Sequence, residues 1–296
     1  MKRLLIVAPV LLALVAWLAA SSAQRDLSAV EVKATLVAGT VHVLEGAGGN
    51  IGACVGEDGV LIVDDQFAPL ATKIRAALEK LKPGAPRFVL NTHHHGDHTG
   101  GNPEFAPEAT VVAHENVRKR LMQGSTRQPA MSADGLPVVT FDDDLALHFN
   151  GERIDFVHFP HGHTDGDGVV YFRTSNVVHM GDLFFAGRFP FIDVDGGGDL
   201  DGYVANVGKV LATIGPETKV IPGHGPLATR KELEAFHRML TETTRAVRER
   251  KAQGSSLEEA KKAGLPEEWK GWAWDFISQD LWIETIWRAP DSTAKR

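Results

Sequence analysis

The chain has 296 residues, 31 Lys and Arg against 38 Asp and Glu for a net charge of −7 with histidine neutral, and a single cysteine. With no basic run beyond scattered Lys and Arg, this balance gives nucleic-acid binding no electrostatic support. One cysteine excludes an intramolecular disulfide framework, so stability must come from a core, for which this length is ample, and from any bound metal.

Met1-Lys2-Arg3 precede an uncharged apolar stretch from Leu4 to Ala20 and then Ser21-Ser22-Ala23. That is the layout of a secretory signal peptide over residues 1–23, cleaved before Gln24. The mature protein is expected in the periplasm or outside the cell, with no stable membrane association once the leader is gone. An uncleaved N-terminal anchor is the competing reading, because the stretch approaches the length of one membrane span.

Beyond the leader, Val30 to Glu45 and Ile51 to Asp65 are rich in β-branched and apolar residues and are broken by Gly46-Ala47-Gly48-Gly49-Asn50 and by Glu57-Asp58-Gly59. They predict antiparallel strands joined by tight turns, with Cys54 as a small core residue. Leu70, Ile74, Ala77, Leu78 and Leu81 recur at helical spacing after Pro69, and the helix stops at Lys82-Pro83-Gly84. Phe88-Val89-Leu90 is a short buried strand that runs straight into His93-His94-His95-Gly96-Asp97-His98.

A strand at Thr110 to Ala113, a helix at His114 to Met122 and a polar loop at Gln123 to Pro137, a candidate flap, come next. Strands are predicted at Val138 to Phe141, Leu145 to Phe149, Arg153 to Phe159, Val169 to Phe172 and Val177 to Met180. Asp199 caps a helix with Tyr203, Val204, Val207, Val210, Leu211 and Ile214 on its apolar positions, and a strand at Lys219 to Ile221 leads into Pro222-Gly223-His224-Gly225-Pro226. A long helix follows from Thr229 to Arg250. Ser256-Leu257-Glu258-Glu259 is a capping-box start for a shorter one. Trp269, Trp272, Trp274, Trp282 and Trp287 crowd the tail, which is expected to pack as an arm over the main domain.

Four imidazoles and a carboxylate within six residues are groups that hold divalent transition metals. His163 (in Gly162-His163-Thr164-Asp165), Asp182 (in Met180-Gly181-Asp182) and His224 add ligand types in turn-forming contexts at strand ends, where catalytic groups are common. Four or five imidazoles and two aspartates are too many for one tetrahedral zinc and suit two ions. With a bridging hydroxide such a site would carry a formal charge of about +1, attractive to anionic substrates.

The order of these motifs resembles the metallo-β-lactamase superfamily, whose His-x-His-x-Asp-His signature reads here as His93, His95, Asp97 and His98. The resemblance covers roughly residues 36–230. It implies an α+β fold, a four-layered αβ/βα sandwich over residues 30–230, followed by a helical, Trp-rich extension over 231–296 packed on it. It also implies His93, His95 and His163 around one metal, Asp97, His98 and His224 around the other, and Asp182 bridging both, with Asp97, His98 and Asp182 as the catalytic set. His94, His161 and His179 are expected to be neighbours rather than ligands, and Asp64 and Asn91 to orient the ligands.

On that resemblance the expected protein is an exported two-zinc hydrolase, with iron or manganese as alternative metals, in which a metal-activated hydroxide cleaves a small cyclic amide or ester. Many zinc β-lactamases place cysteine or serine where Asp182 stands; the bridging aspartate is more typical of thioesterases, lactonases and phosphodiesterases. It argues against β-lactams as the main substrate, whereas export argues for meeting them. Phe184, Phe185, Phe189 and Phe191 are candidates for an apolar substrate wall, and Tyr203 or His114 for an oxyanion donor. The competing classes are a one-iron, sulfur-oxidising enzyme and a non-catalytic metal-binding protein of a periplasmic pathway. The sequence leaves the oligomeric state open.

Overall fold

Residues 27–126 and 128–290 are described in the computed structural model. Met1–Val30 and Glu31–Arg296 form separate units. In the first, only 27–30 are described, where the Val30 N–H donates to the Leu27 carbonyl at 3.2 Å; the expected leader, 1–23, lies outside the described residues. Among the described residues no helix is long and apolar enough to cross a membrane.

In the second unit the β-branched runs pair into two sheets. The first holds seven strands in chain order: β1 (Lys33–Ala38), β2 (Val41–Glu45), β3 (Ile51–Gly56), β4 (Gly59–Val63), β5 (Phe88–Asn91), β6 (Thr110–His114) and β7 (Val139–Phe141). The run expected as one strand from Val30 to Glu45 is two, because Gly39 turns at φ 52 and the chain folds back on itself. β1 to β4 are antiparallel, whereas β4 to β7 are parallel. Parallel neighbours need crossovers, and α1 (Ala71–Glu79), the short helices α2 (Gly96–Thr99) and α3 (Asn102–Phe105), and α4 (Glu115–Gln123) supply them.

The second sheet holds β8 (Asp144–Phe149), β9 (Glu152–His158), β10 (Gly168–Phe172), β11 (Val177–His179), β12 (Lys219–Ile221) and β13 (Ala228–Thr229), with α5 (Leu200–Thr213) crossing from β11 to its parallel neighbour β12. Val43, Leu61, Leu90 and Val112 of one sheet meet Phe156, Val170 and Phe172 of the other in a buried middle layer. Cys54 belongs to it, and burial pushes its thiol above the ordinary range. The outer face of the second sheet is covered by α5, α6 (Arg230–Ala252), α7 (Leu257–Ala263) and α8 (Gln279–Arg288), with Tyr203, Phe236, Trp269 and Trp282 fully buried there. Helix, sheet, sheet and helix give the four-layered α+β sandwich.

Local signals account for where the helices start. The Asp199 carboxylate accepts from Gly202 N–H at 2.8 Å, and Thr229 with Glu232 and Ser256 with Glu259 form reciprocal capping boxes. The C-terminal ends of β4, β5, β11 and β12 and the β9–β10 loop converge on one edge of the sandwich, where the histidines lie.

Candidate metal centre

Strand β5 is buried between two parallel neighbours, Leu90 opposite Val63 and Val112, so the chain leaving it at Asn91 emerges at a fixed point. There α2 begins with His95 as its N-cap; the N–H groups of His98 and Thr99 both donate to the His95 carbonyl at 3.0 Å. This single turn aims the signature side chains to one side. The β2–β3 loop can close over them only because residue 49 is glycine: a Cβ there would strike the His98 ring.

Two groups result, and Asp182 lies between them. In the first, His93 Nε2 and His163 Nε2 stand 3.8 Å and 3.5 Å from Asp182 Oδ2, and His95 Nδ1 is 2.9 Å from His163 Nε2. In the second, His98 Nε2 and His224 Nε2 stand 3.1 Å and 3.3 Å from Asp182 Oδ1, and Asp97 Oδ2 is 3.3 Å from His224 Nε2. Within each group, one ligand atom per residue lies within 4.8 Å of the others.

The donor set fits divalent metals. His93 Nε2, His98 Nε2 and Asp182 Oδ1 are buried without a hydrogen-bond partner, a costly arrangement unless something binds there. In four of the five imidazoles the other ring nitrogen is engaged from behind: His93 Nδ1 with Thr92 Oγ1 at 3.1 Å, His98 Nδ1 with Asp64 Oδ2 at 2.7 Å, His163 Nδ1 with the Phe191 carbonyl at 2.8 Å, and His95 Nε2 with Asp193 Oδ2 at 2.9 Å. Outer partners of this kind select the tautomer that turns a lone pair inward.

The two groups differ in proton affinity. Burial and the charge of His98 hold His93 well below the ordinary histidine range, and burial brings His163 to about 4. Burial acts the same way on His224, but the charge of the Asp182 carboxylate and the close approach of Asp182 and Asp97, each 3.3 Å from its Nε2, outweigh it and lift His224 to about 9. His98 also ends well above the ordinary range, the charges of Asp182, Asp97 and Asp64 outweighing its burial. Burial would raise Asp97, yet His98 and His224 bring it down to about 2.

Asp64 is the hub of the support. It is fully buried, sits in the left-handed region at φ 64, and accepts from the Thr92 N–H and hydroxyl, both at 2.8 Å, as well as facing His98. Left-handed backbone at a non-glycine residue is strain of the kind that clusters at functional sites. Asn91 does something else: its amide pairs reciprocally with Asn102, at 3.0 Å and 2.9 Å, and fixes the loop rather than a ligand.

Several expectations change. Tyr203 is no oxyanion donor, because its hydroxyl is buried and donates to the Asp182 carbonyl at 2.7 Å. His114 is spent as the N-cap of α4, accepting from Asn116 N–H while its other nitrogen meets the Asp142 carbonyl and its ring stacks on His158. Of the four phenylalanines, Phe184 packs on Phe236 and Phe189 on Trp282 in the core; only Phe185, stacked on His224, and Phe191, 5.8 Å from His163, reach the centre. His161 is exposed, and His179 is buried with Nε2 facing the Asn50 carbonyl at 3.0 Å. The 123–137 loop touches the histidine run through Gln128, whose amide donates to the His94 carbonyl at 3.1 Å. Sequence reasoning missed Asp193, which also lies 3.7 Å from His94 Nε2; it is one acid among Asp193, Asp195 and Asp199 in a glycine-rich turn, with nothing local to single it out.

Residues 45–224 match the family model described as "Metallo-beta-lactamase superfamily". The chain is 28% identical over 189 residues to 2,4-dinitroanisole O-demethylase subunit alpha of Nocardioides sp. (strain JS1661), covering 62% of this chain and 54% of that one. It thus spans about half the length of that relative. It is 31% identical over 138 residues to a hydroxyacylglutathione hydrolase of Gloeobacter violaceus, covering 43% and 49%. Among solved structures, a metallo-beta-lactamase from Pontibacter korlensis superposes with a TM-score of 0.60 at 17% identity, over 71% of this chain and 99% of that one, a likeness of fold.

Proposed function

The chain belongs to the metallo-beta-lactamase superfamily, and from that premise we propose a metal-dependent hydrolase, exported, that holds two zinc ions and opens a small cyclic amide or ester of the β-lactam or lactone type. The observation that carries it is Asp182: one oxygen faces His98 and His224, the other His93 and His163. A carboxylate so shared is suited to bridge two ions, with His93, His95 and His163 on one and Asp97, His98 and His224 on the other. When bound, two divalent ions would supply an activated water at neutral pH and an electrophile for the substrate carbonyl oxygen.

The chain's own groups do the remaining work. Asp97 is ionised at neutral pH and, with 28% of its side chain exposed, is the site carboxylate that reaches solvent. It is placed to take the proton of the attacking water and return it to the leaving nitrogen or oxygen. Asp182 and His98 are buried and hold their positions through Tyr203 and Asp64. Phe185 and Phe191 keep one side of the centre dry, which strengthens every charge interaction within it.

Zinc quantification beside a panel of β-lactams, lactones, thioesters and phosphodiesters tests this reading. Two zinc ions per chain with turnover of a lactone or β-lactam are expected; two ions and no turnover of any class, or one iron per chain, overturns it. For export, the N-terminus of the product isolated from the periplasm is expected at Gln24.

A further inference from the structure

The family match ends at residue 224, yet side chains from later in the chain stand at the metal centre. Phe185 stacks on His224, centroids 5.1 Å apart with planes at 20°, and Trp274 lies 6.1 Å from Phe185 and 6.3 Å from His224. On the other group of ligands, Phe191 lies 5.8 Å from His163 and 6.0 Å from His95. Phe276 closes the band, 5.6 Å from Phe191 and 5.6 Å from Trp274. Four rings therefore run along the centre from one group of ligands to the other.

The band is held rigidly. The indole N–H of Trp274 donates to the Phe189 carbonyl at 2.9 Å, and the Phe189 N–H donates back to the Trp272 carbonyl at 2.9 Å. The Arg188 guanidinium lies over the Trp274 ring at 5.0 Å, and the Trp274 backbone N–H donates to the Ile277 carbonyl at 3.1 Å. Phe185 is buried and Trp274 half-buried, but Phe276 is 57% exposed. A rigid aromatic left in water beside a reaction centre is an apolar contact surface already organised for a ligand.

We propose that Trp272–Ile277 is the substrate-recognition wall of this centre, and that its substrate carries an apolar group, aryl or medium-length alkyl, next to the carbonyl that reacts. The nature of the reacting bond rests on the hydrolase reading above; the wall rests on the ring geometry. Burying each methylene against such a surface tightens binding by about threefold to fourfold.

Alkyl hydroxamates test the wall without requiring turnover, since the head group chelates metal and the tail reports on what lies beside it. With zinc-loaded full-length protein, calorimetry is expected to show Kd tightening about threefold per methylene from acetohydroxamate toward octanohydroxamate. In Phe276→Ala and Trp274→Ala the ratio of octano- to acetohydroxamate affinity is expected to fall about tenfold with zinc content at the wild-type value, and Phe276→Leu to recover most of it. A flat series, a ratio unmoved by either variant, or no binding at millimolar concentration overturns the wall. Turnover with a flat series sinks the wall and spares the hydrolase; chain-length-dependent binding in a protein that hydrolyses nothing does the reverse.

Discussion

The two groups of ligands at the centre share Asp182 but are prepared for metal in opposite ways. His93 and His163 are kept neutral by burial, so these two imidazoles of the first group offer lone pairs across the neutral range without releasing a proton. The second holds protons on His98 and His224, drawn there by Asp97, Asp64 and Asp182. Carboxylates therefore act twice in the second group: they stabilise imidazolium when metal is absent and supply ligand charge when it is present. One centre thus combines a half in which burial keeps two imidazoles unprotonated with a half that exchanges protons for metal.

Asp182→Ala breaks the comparison outright, because it removes the carboxylate whose two oxygens face the two halves. The expected result is loss of at least one ion per chain and a drop in activity of roughly a thousandfold or more, read by elemental analysis beside steady-state rates. Retention of two ions and near-normal turnover would show that the halves do not depend on the shared carboxylate.

Two substitutions sharpen the contrast by acting on one half each. Asp64→Asn weakens the group behind His98, and Asp193→Asn the group behind His95. Outer partners of this kind are worth about 10–100-fold in metal affinity. Competition with a chromophoric chelator should therefore show one weakened and one unchanged step in each variant, with different steps affected; equal weakening of both steps in either protein counts against separate halves.

The pH dependence follows from the same asymmetry. His224 rises from an ordinary 6.5 to about 9 in the metal-free fold, so its charged form contributes stability that is full below pH 6.5 and is lost as pH climbs through about 9. Metal-free protein is expected to lose thermal stability across that window. Affinity of the second half should rise there by up to about tenfold per pH unit for each proton released. His163, brought down to about 4, contributes in the other direction: protons compete for its ring only as pH falls toward that value. Titration at pH 6 should fill one half and at pH 8.5 both; simultaneous filling at pH 6 contradicts the assignment.

What the sequence disclosed at this centre is what lies within one turn of chain. The run from His93 to His98 announces itself because a short helix needs only local spacing to aim its side chains. His163, Asp182 and His224 were legible through their glycine-rich turns at strand ends. Asp193, Trp274 and Phe276 were not, since each reaches the centre only after distant segments close on it: Asp193 through its N–H to the His163 carbonyl at 2.9 Å, and Trp274 through the Phe189 carbonyl. In the fold, patterning located most strands, but the split at Gly39 and the short α2 and α3 depend on one or two residues and leave no period to read.

Tyr203 shows the limit from the other side and provides the smallest test. A tyrosine on an amphipathic helix near a catalytic aspartate reads equally well as a donor to substrate or as a core residue. The fold decides, because α5 packs its apolar face on the second sheet and delivers the hydroxyl to the Asp182 carbonyl rather than into the centre. Tyr203→Phe keeps the ring and removes only that bond, leaving a buried carbonyl short of a donor at an expected cost of about 1–2 kcal/mol. Chemical denaturation should register the loss, with two metals still bound and kcat changed by less than about threefold. A large fall in kcat at unchanged stability would instead return Tyr203 to the reacting groups, and with it the idea that Asp182 is positioned by the helix behind it.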